Sequence, residues 1–438
     1  MTDNRWFTDA RFGMFIHFGL YSVAAKGEWY ASIEQISAEK YRKYFETFDP
    51  IRYDPVFYAR LAKQAGMKYA VLTAKHHEGF CLFDSACTDY KSVNTPIGRD
   101  LIREYTDAFR KEGLRVGIYY SLVDWHHPDY PAFGDPFHPS RNSESARNET
   151  CDFNRYLDYM HEQVRELCTN YGKIDLFWFD FSYEGHSGAD WRALELTEMV
   201  RSLQPGILIN SRLEASGGNL GSLLTDSPTP WAGDFITPEQ IVPPAPLKAP
   251  GNAPVCWEAC QTLNNSFGYT ADDHVCKDAR ICIRQLVDCV SKGGNYLLNI
   301  GPDGNGSIPP WAVETLREIG TWMNENHESV YGCGESPLPA AAFGCRITAK
   351  DNVLYLHVMQ QPVGPLPLSG IRPEDILYAR MLATGAEVEV LTEGWAVENY
   401  PDYTFLSLSS KSNETQLLPD PADTVIKIVL RQAAGPFS

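Results

Sequence analysis

Asp175-Leu-Phe-Trp-Phe-Asp-Phe-Ser-Tyr-Glu-Gly185 is the stretch that decides the fold. An unbroken apolar run, Leu176 to Phe179, leads into Asp180, and the chain then turns polar at Ser182, Glu184 and Gly185. A short aromatic-rich run, entered from Gly172-Lys173 and left through Ser and Gly, reads as a buried strand rather than a helix. A carboxylate at the exit of such a strand is costly to bury. It is kept where it is paired or where chemistry needs it. Trp178 falls on the same side as Asp180 because strand side chains alternate. A strand-end Asp also caps helices, so this residue alone does not separate the two roles.

Working outward, strand-like and helix-like runs alternate from about Arg11 to Tyr331. Phe12 to His17, Tyr69 to Ala74, Arg115 to Ser121, Gly206 to Asn210, Val255 to Glu258 and Asn295 to Ile300 read as strands. Pro55 to Ala65, Arg99 to Lys111, the stripe Leu157, Met160, Val164 and Leu167, then Trp191 to Leu203, Ala279 to Val290 and Pro310 to Asn326 read as helices. This alternation predicts parallel strands joined by crossover helices. Strand after strand is apolar inside and places His, Asp, Arg or Glu just past its C-terminal end, as a (β/α)8 barrel does when it builds a site on that rim. A doubly wound sheet is the competitor, and the G-x-G-x-x-G that would favour it is absent.

Leu213 to Ala253 interrupts the alternation with a Gly-, Pro- and Ser-rich excursion, a length of loop that usually carries function or motion. Beyond Tyr331 the runs are short and strand-like: Arg346 to Thr348, Val353 to Val358, Ile376 to Ala383, Glu387 to Leu391, Thr404 to Leu408 and Thr424 to Leu430. Turn residues separate them, among them Pro365-Leu-Pro and Pro419-Asp-Pro, which reads as an antiparallel sandwich. The expected organisation is α/β: a (β/α)8-like (TIM) barrel over 1–335, then a small antiparallel β-sandwich over 336–438.

With 438 residues and 44% hydrophobic content the chain carries a substantial core. Its net charge of −18 argues against nucleic acid and anionic membrane as partners and suits a neutral substrate. The 11 cysteines include no C-x-x-C pair, so reduced thiols in a cytoplasm are the simplest expectation. The polar opening Met1-Thr-Asp-Asn-Arg-Trp-Phe has no basic–apolar–small leader pattern, which points the same way.

Arg11-Phe-Gly-Met-Phe-Ile-His-Phe-Gly, Gly27-Glu-Trp-Tyr, Thr73-Ala-Lys-His-His-Glu-Gly-Phe and Phe177-Trp-Phe-Asp together resemble the α-L-fucosidases of glycoside hydrolase family 29. Gly233-Asp-Phe-Ile-Thr-Pro-Glu, Trp257-Glu, Ser266-Phe-Gly-Tyr and Lys292-Gly-Gly-Asn-Tyr-Leu-Leu-Asn-Ile-Gly-Pro extend the resemblance, in order, over residues 5 to 332. It implies a retaining exo-acting hydrolase of terminal α-linked L-fucose that needs no cofactor, with fucosylated oligosaccharides as substrate and Asp180 as nucleophile. The proton donor of this family varies in position. Glu239 best matches its segment, Glu258 is the rival at the end of a strand, and Glu214 comes third. His17, Glu28, Trp29, His76, His77, Tyr120, Trp178, Arg212 and Phe267 resemble positions that hold the sugar hydroxyls or pack on its C5 methyl. Tyr119, adjacent to Tyr120, would face the other way.

The residues by themselves agree with that implication, because an aromatic wall beside a carboxylate suits a sugar ring, apolar on its C–H face and hydroxylated at its edge. Adjacent His76 and His77 are expected to diverge on a strand, and zinc needs three or four ligands, so no metal is expected. Three alternatives remain: an inactive fucose-binding protein on the same fold, a glycosidase of related specificity such as an α-L-galactosidase, and a metal-dependent hydrolase using the His pairs.

Overall fold

Seven strands pair in parallel: β1 Phe12–Ile16, β2 Tyr69–Lys75, β3 Arg115–Ser121, β4 Leu176–Asp180, β5 Leu208–Ile209, β6 Glu258–Thr262 and β7 Asn295–Ile300, in the spatial order β5-β4-β3-β2-β1-β7-β6. The structure, a computed structural model, describes residues 4–148, 150–183, 185–216, 220–339, 344–408 and 417–432, so Glu184 lies outside the described residues. Between the edges β5 and β6 runs the segment 235–239. It touches β5 through a parallel bridge from Asn210 to Phe235, and β6 through bridges from Ile236 to Trp257 and from Glu239 to Cys260. This eighth stave closes the barrel with isolated bridges instead of a continuous ladder. Gly233 makes the entry possible: its φ is +82°, and a Cβ there would lie 2.4 Å from the Asn210 carbonyl oxygen.

Alternation sorts the strand side chains into two layers. Phe15, Val71, Tyr119, Trp178, Leu208, Phe235, Cys260 and Leu297 pack together inside the barrel. Met14, Leu72, Ile118, Tyr120, Phe177 and Ile209, one residue out of phase, pack against the surrounding helices. Both faces are covered, which is why these strands read as continuous apolar runs.

The longest helices among the described residues are α1 Pro55–Gln64, α2 Leu101–Lys111, α3 Phe153–Asn170, α4 Ala193–Leu203, α5 Ala279–Ser291 and α6 Pro310–Asn326. Their starts follow from local chemistry. Asp54, Asp100, Asp152 and Asp278 each accept a backbone N–H of the following turn, a cap contributing about 1 kcal/mol. In α2 the buried Leu101, Ile102, Tyr105 and Phe109 form one stripe facing the sheet. No helix of eight or more residues follows β5 or the segment 235–239 among the described residues, so the ring is incomplete where the Gly- and Pro-rich excursion runs.

The second unit is an antiparallel sheet of eight strands. They are β8 Gly334–Glu335, β9 Cys345–Lys350, β10 Val353–Val358, β11 Leu366–Ser369, β12 Ile376–Met381, β13 Glu387–Leu391, β14 Tyr403–Ser407 and β15 Thr424–Leu430, ordered β8-β9-β10-β15-β12-β13-β14-β11. Leu354, Leu356 and Val358 share one core with Leu366, Leu368 and Leu406 from the far end of the order, so the sheet folds over on itself as a sandwich. The sequence reading takes Pro365-Leu-Pro as a turn, whereas Pro367 lies inside β11. An edge strand tolerates a proline because one side of its ladder is unpaired.

The other face of β10 docks on the barrel helices. The Tyr355 hydroxyl donates to Glu328 at 2.7 Å, and His357 Nδ1 contacts Asp423 Oδ2 at 2.6 Å. Trp322 of α6 donates to the Asp423 carbonyl at 3.0 Å.

Candidate active site

Asp180 is the last residue of β4, in phase with Leu176 and Trp178, so its carboxylate stands above the barrel interior on the C-terminal rim. Arg212 sits in the 3-10 turn Ser211–Leu213 directly after β5. Its Nη1 donates to Asp180 Oδ1 at 2.7 Å, and its Nη2 donates to Glu239 Oε2, also at 2.7 Å. One guanidinium thus grips both carboxylates. The fork is itself aimed by Thr237, whose hydroxyl accepts Nε at 2.8 Å, and by the Trp178 ring, 4.5 Å from the guanidinium carbon. Burial acts to lower the pKa of Arg212, but the charges of Asp180 and then Glu239 outweigh it, and the net shift is upward. The Arg212 and Asp180 side chains are 3% and 11% exposed; that of Glu239 is 37% exposed and is the freer partner.

The second oxygen of Asp180 accepts from the Tyr119 hydroxyl at 2.7 Å. Here the structure corrects the sequence reading, which puts Tyr120 in the site and Tyr119 outside it. Parallel pairing sets Tyr119 beside Trp178, and laterally paired residues point the same way. Tyr120 belongs to the outer layer, where its hydroxyl donates to Gln163 of α3 at 2.8 Å.

His76 and His77 follow β2 and do not diverge as alternation predicts. The strand ends at Lys75, and beyond it the two imidazoles come together, ring centroids 4.1 Å apart. A bulge between Thr73 and Lys75 turns Lys75 outward to a buried ion pair with Asp124 at 3.1 Å. The His77 Nδ1 is held by Ser121 Oγ at 2.7 Å, and the His17 Nδ1 by Asn299 Oδ1 at 2.7 Å. Burial pushes His17 and His77 down to about 3 and holds His76 well below its ordinary value, so all three are neutral near pH 7. His76 Nδ1 has no hydrogen-bond partner among the described residues. An orphaned buried polar atom costs about 1–3 kcal/mol and calls for a ligand or another explanation. Glu28 accepts the Gly268 N–H at 2.7 Å, and burial raises its pKa despite that bond.

His17, Glu28, His76, His77, Tyr119, Asp180, Arg212 and Glu239 line one pocket of about 320 Å³, whose other walls include Phe15, Trp29, Trp178, Phe181, Gln240 and Phe267. That volume is at the small end for a ligand site. A larger cleft of about 1150 Å³ lies at the junction with the second sheet, around Glu335, Lys350 and Arg372, and contains none of the rim residues.

Of the sequence-predicted set, the structure brings His17, Glu28, Trp29, His76, His77, Trp178, Asp180, Arg212, Glu239 and Phe267 together. It leaves out Tyr120, Glu258 and Glu214. Glu258 is expected to end a strand but opens β6, paired with Asn295, the first residue of β7. It therefore lies below the pocket, where Tyr69 and the Trp178 Nε1, at 3.2 Å, donate to it, and burial raises its pKa to about 7. Glu214 accepts from Ser222 and Thr229 and staples the excursion. Sequence reasoning misses Thr237, Ser121 and Asn299, the residues that aim Arg212, His77 and His17. Only Asn299, polar within an apolar strand, carries a visible signal. Among the described residues no group of three or more His, Cys, Asp or Glu is arranged to hold a metal ion. No helix there is long and apolar enough to cross a membrane.

A carboxylate pair at the rim of a (β/α)8-like barrel, facing neutral imidazoles and aromatic walls in a sugar-sized pocket, defines the class as glycoside hydrolase. The family model described as α-L-fucosidase matches residues 2–328, and the chain belongs to that family, glycoside hydrolase family 29. It is an α-L-fucosidase by class. The α-L-fucosidase of Dictyostelium discoideum is 29% identical, over 92% of this chain and 91% of its own. The tissue α-L-fucosidase of Rattus norvegicus is 32% identical over 82% of this chain and 76% of its own. Among solved structures, α-L-fucosidase isoenzyme 1 from Paenibacillus thiaminolyticus superposes with a TM-score of 0.93 at 51% identity, covering 98% of this chain and 99% of that one. A family 29 enzyme from Bacteroides thetaiotaomicron, solved as a covalent intermediate trapped with 2-fluoro-fucosyl fluoride, gives a TM-score of 0.79 at 29% identity, covering 98% and 95%.

Proposed function

We propose that the chain is a retaining exo-α-L-fucosidase in which Asp180 is the nucleophile and Glu239 the acid/base. The observation that carries this reading is the grip of one guanidinium, Arg212, on both carboxylates at 2.7 Å each. A guanidinium that holds one carboxylate on each Nη keeps the two close together, as double displacement asks of its nucleophile and its acid/base.

In the first step an Asp180 oxygen bonds to the anomeric carbon as the glycosidic C–O bond breaks, and Glu239 gives its proton to the departing oxygen. In the second, Glu239 takes a proton from water, whose oxygen displaces Asp180 from the same carbon. Arg212 and Tyr119 hold the Asp180 carboxylate in place, and their bonds to it compensate for its burial. Glu239, the more exposed partner, releases Arg212 to reach the leaving oxygen. The neutral His17, His76 and His77 meet sugar hydroxyls as donors or acceptors without adding charge, and the unpartnered His76 Nδ1 gains its missing bond. Phe267, 4.7 Å from the His17 ring, faces the apolar C5 methyl. The pocket floor is closed by Phe15 and Trp178, so a terminal sugar fits and a through-running chain does not.

The test is the configuration of the first product. Followed by proton NMR faster than mutarotation, hydrolysis of an aryl α-L-fucoside is expected to release α-L-fucose first. Release of the β anomer would contradict a double displacement.

A further inference from the structure

Phe181 follows Asp180 with φ +83°, a left-handed conformation that a bulky non-glycine residue rarely adopts. Ser216 Oγ fixes it there, accepting the Phe181 N–H at 3.2 Å and the Ser182 N–H at 3.0 Å. The Phe181 ring lies beside His77 at 4.8 Å, Trp29 at 5.4 Å and Phe137 at 5.0 Å. Phe137 also lies 5.7 Å from Trp29.

Phe137 is 37% exposed, yet it is not loosely held. The carboxylate of Asp135, itself 1% exposed, accepts the Phe137 N–H at 2.7 Å and the Tyr130 hydroxyl at 3.1 Å. Ser32 Oγ donates to the Phe137 carbonyl at 2.5 Å. A buried carboxylate and two hydroxyls thus present an apolar ring to solvent, immediately outside a pocket that Trp29 and Phe181 already line. Presenting an apolar ring this way costs hydration free energy unless something covers it.

We propose that Trp29, Phe181 and Phe137 form the binding face for the leaving group of the substrate, and that its occupant is a pyranose ring stacking its apolar C–H face on Phe137. The inference rests on the proposed function and extends it from the bond that breaks to the group that departs. Continuity names the occupant. The wall starts at the residue after the nucleophile and runs outward, and a glycoside seated in the pocket has only its leaving group outside. The three side chains are uncharged, as a neutral sugar requires, and their rings are mutually tilted by 54°, 61° and 88°, a faceted apolar surface that a linear alkyl chain would not need.

Phe137 recognises the leaving group without touching the reacting atoms, so it sets specificity and its loss discriminates between substrates. The experiment compares wild type, Phe137→Ala and Phe137→Trp on three kinds of substrate: α-L-fucosyl fluoride, whose leaving group is a single atom; an aryl α-L-fucoside; and fucosyl disaccharides differing in linkage. For Phe137→Ala, kcat/KM on the best disaccharide is expected to fall roughly ten-fold relative to the fluoride, with the aryl fucoside following the disaccharide. Phe137→Trp is expected to restore the ratio, which a merely structural loss would not allow. An unchanged ratio, or a parallel fall on the fluoride and the disaccharide, would overturn the assignment of this face. A wild-type enzyme inert even to the fluoride would instead overturn the proposed function itself.

Discussion

Asp180→Ala is expected to lower kcat/KM on aryl α-L-fucosides by at least about 10⁴-fold, because it removes the group proposed to form the covalent intermediate. The fold has no reason to fail with it. Removing the carboxylate leaves Arg212 its bonds to Glu239 and Thr237, and Tyr119 its stacking on Trp178, ring centroids 5.6 Å apart. The methyl of alanine opens space on the nucleophile's side of the sugar, and added azide is expected to occupy it. Attack from that side inverts the anomeric centre once, so the product is β-fucosyl azide. Wild-type turnover in this variant, or no azide product of either configuration, counts against the assignment.

Glu239→Ala is expected to behave differently in rate and in stereochemistry. Proton transfer by a positioned side chain contributes about 10²–10⁴-fold, and a poor leaving group should lose that much while fucosyl fluoride loses far less. Asp180 remains, so the intermediate still forms. Azide then attacks it from the leaving-group side, and two inversions give α-fucosyl azide. The two variants thus make opposite anomers from one substrate. A β product from Glu239→Ala, or equal losses for good and poor leaving groups, would remove Glu239 from its role. Glu258, the rival in the sequence, does not line the pocket. It opens β6 beneath Trp178, with its oxygens taken by Tyr69 and the indole N–H.

The barrel strands are legible because burial on both faces makes each a short apolar run, and the rim chemistry follows wherever such a run ends. Asp180 is found that way, since four apolar residues hand over to one carboxylate. The closing stave is not legible. Residues 235–239 touch their neighbours through single bridges, in a stretch whose Gly and Pro content reads as loop. The Tyr119/Tyr120 choice turns on the register between two strands, which the sequence of either one leaves open, and the structure decides it through the pairing of Tyr119 with Trp178. The His pair fails for another reason. Alternation is a rule about strands, and the strand stops at Lys75, before either histidine. Residues that hold other residues, such as Thr237 and Ser121, are chemically ordinary, and only their distances reveal them.

The central claim is that the carboxylate at the end of β4 bonds to the anomeric carbon. The direct measurement incubates the enzyme with 2-deoxy-2-fluoro-α-L-fucosyl fluoride, digests it, and locates the labelled peptide by mass spectrometry. The account predicts one fluorofucosyl group per chain, ester-linked to Asp180 and blocked by prior fucose. A stable label on any other residue, or complete inactivation with Asp180 unmodified, would contradict it.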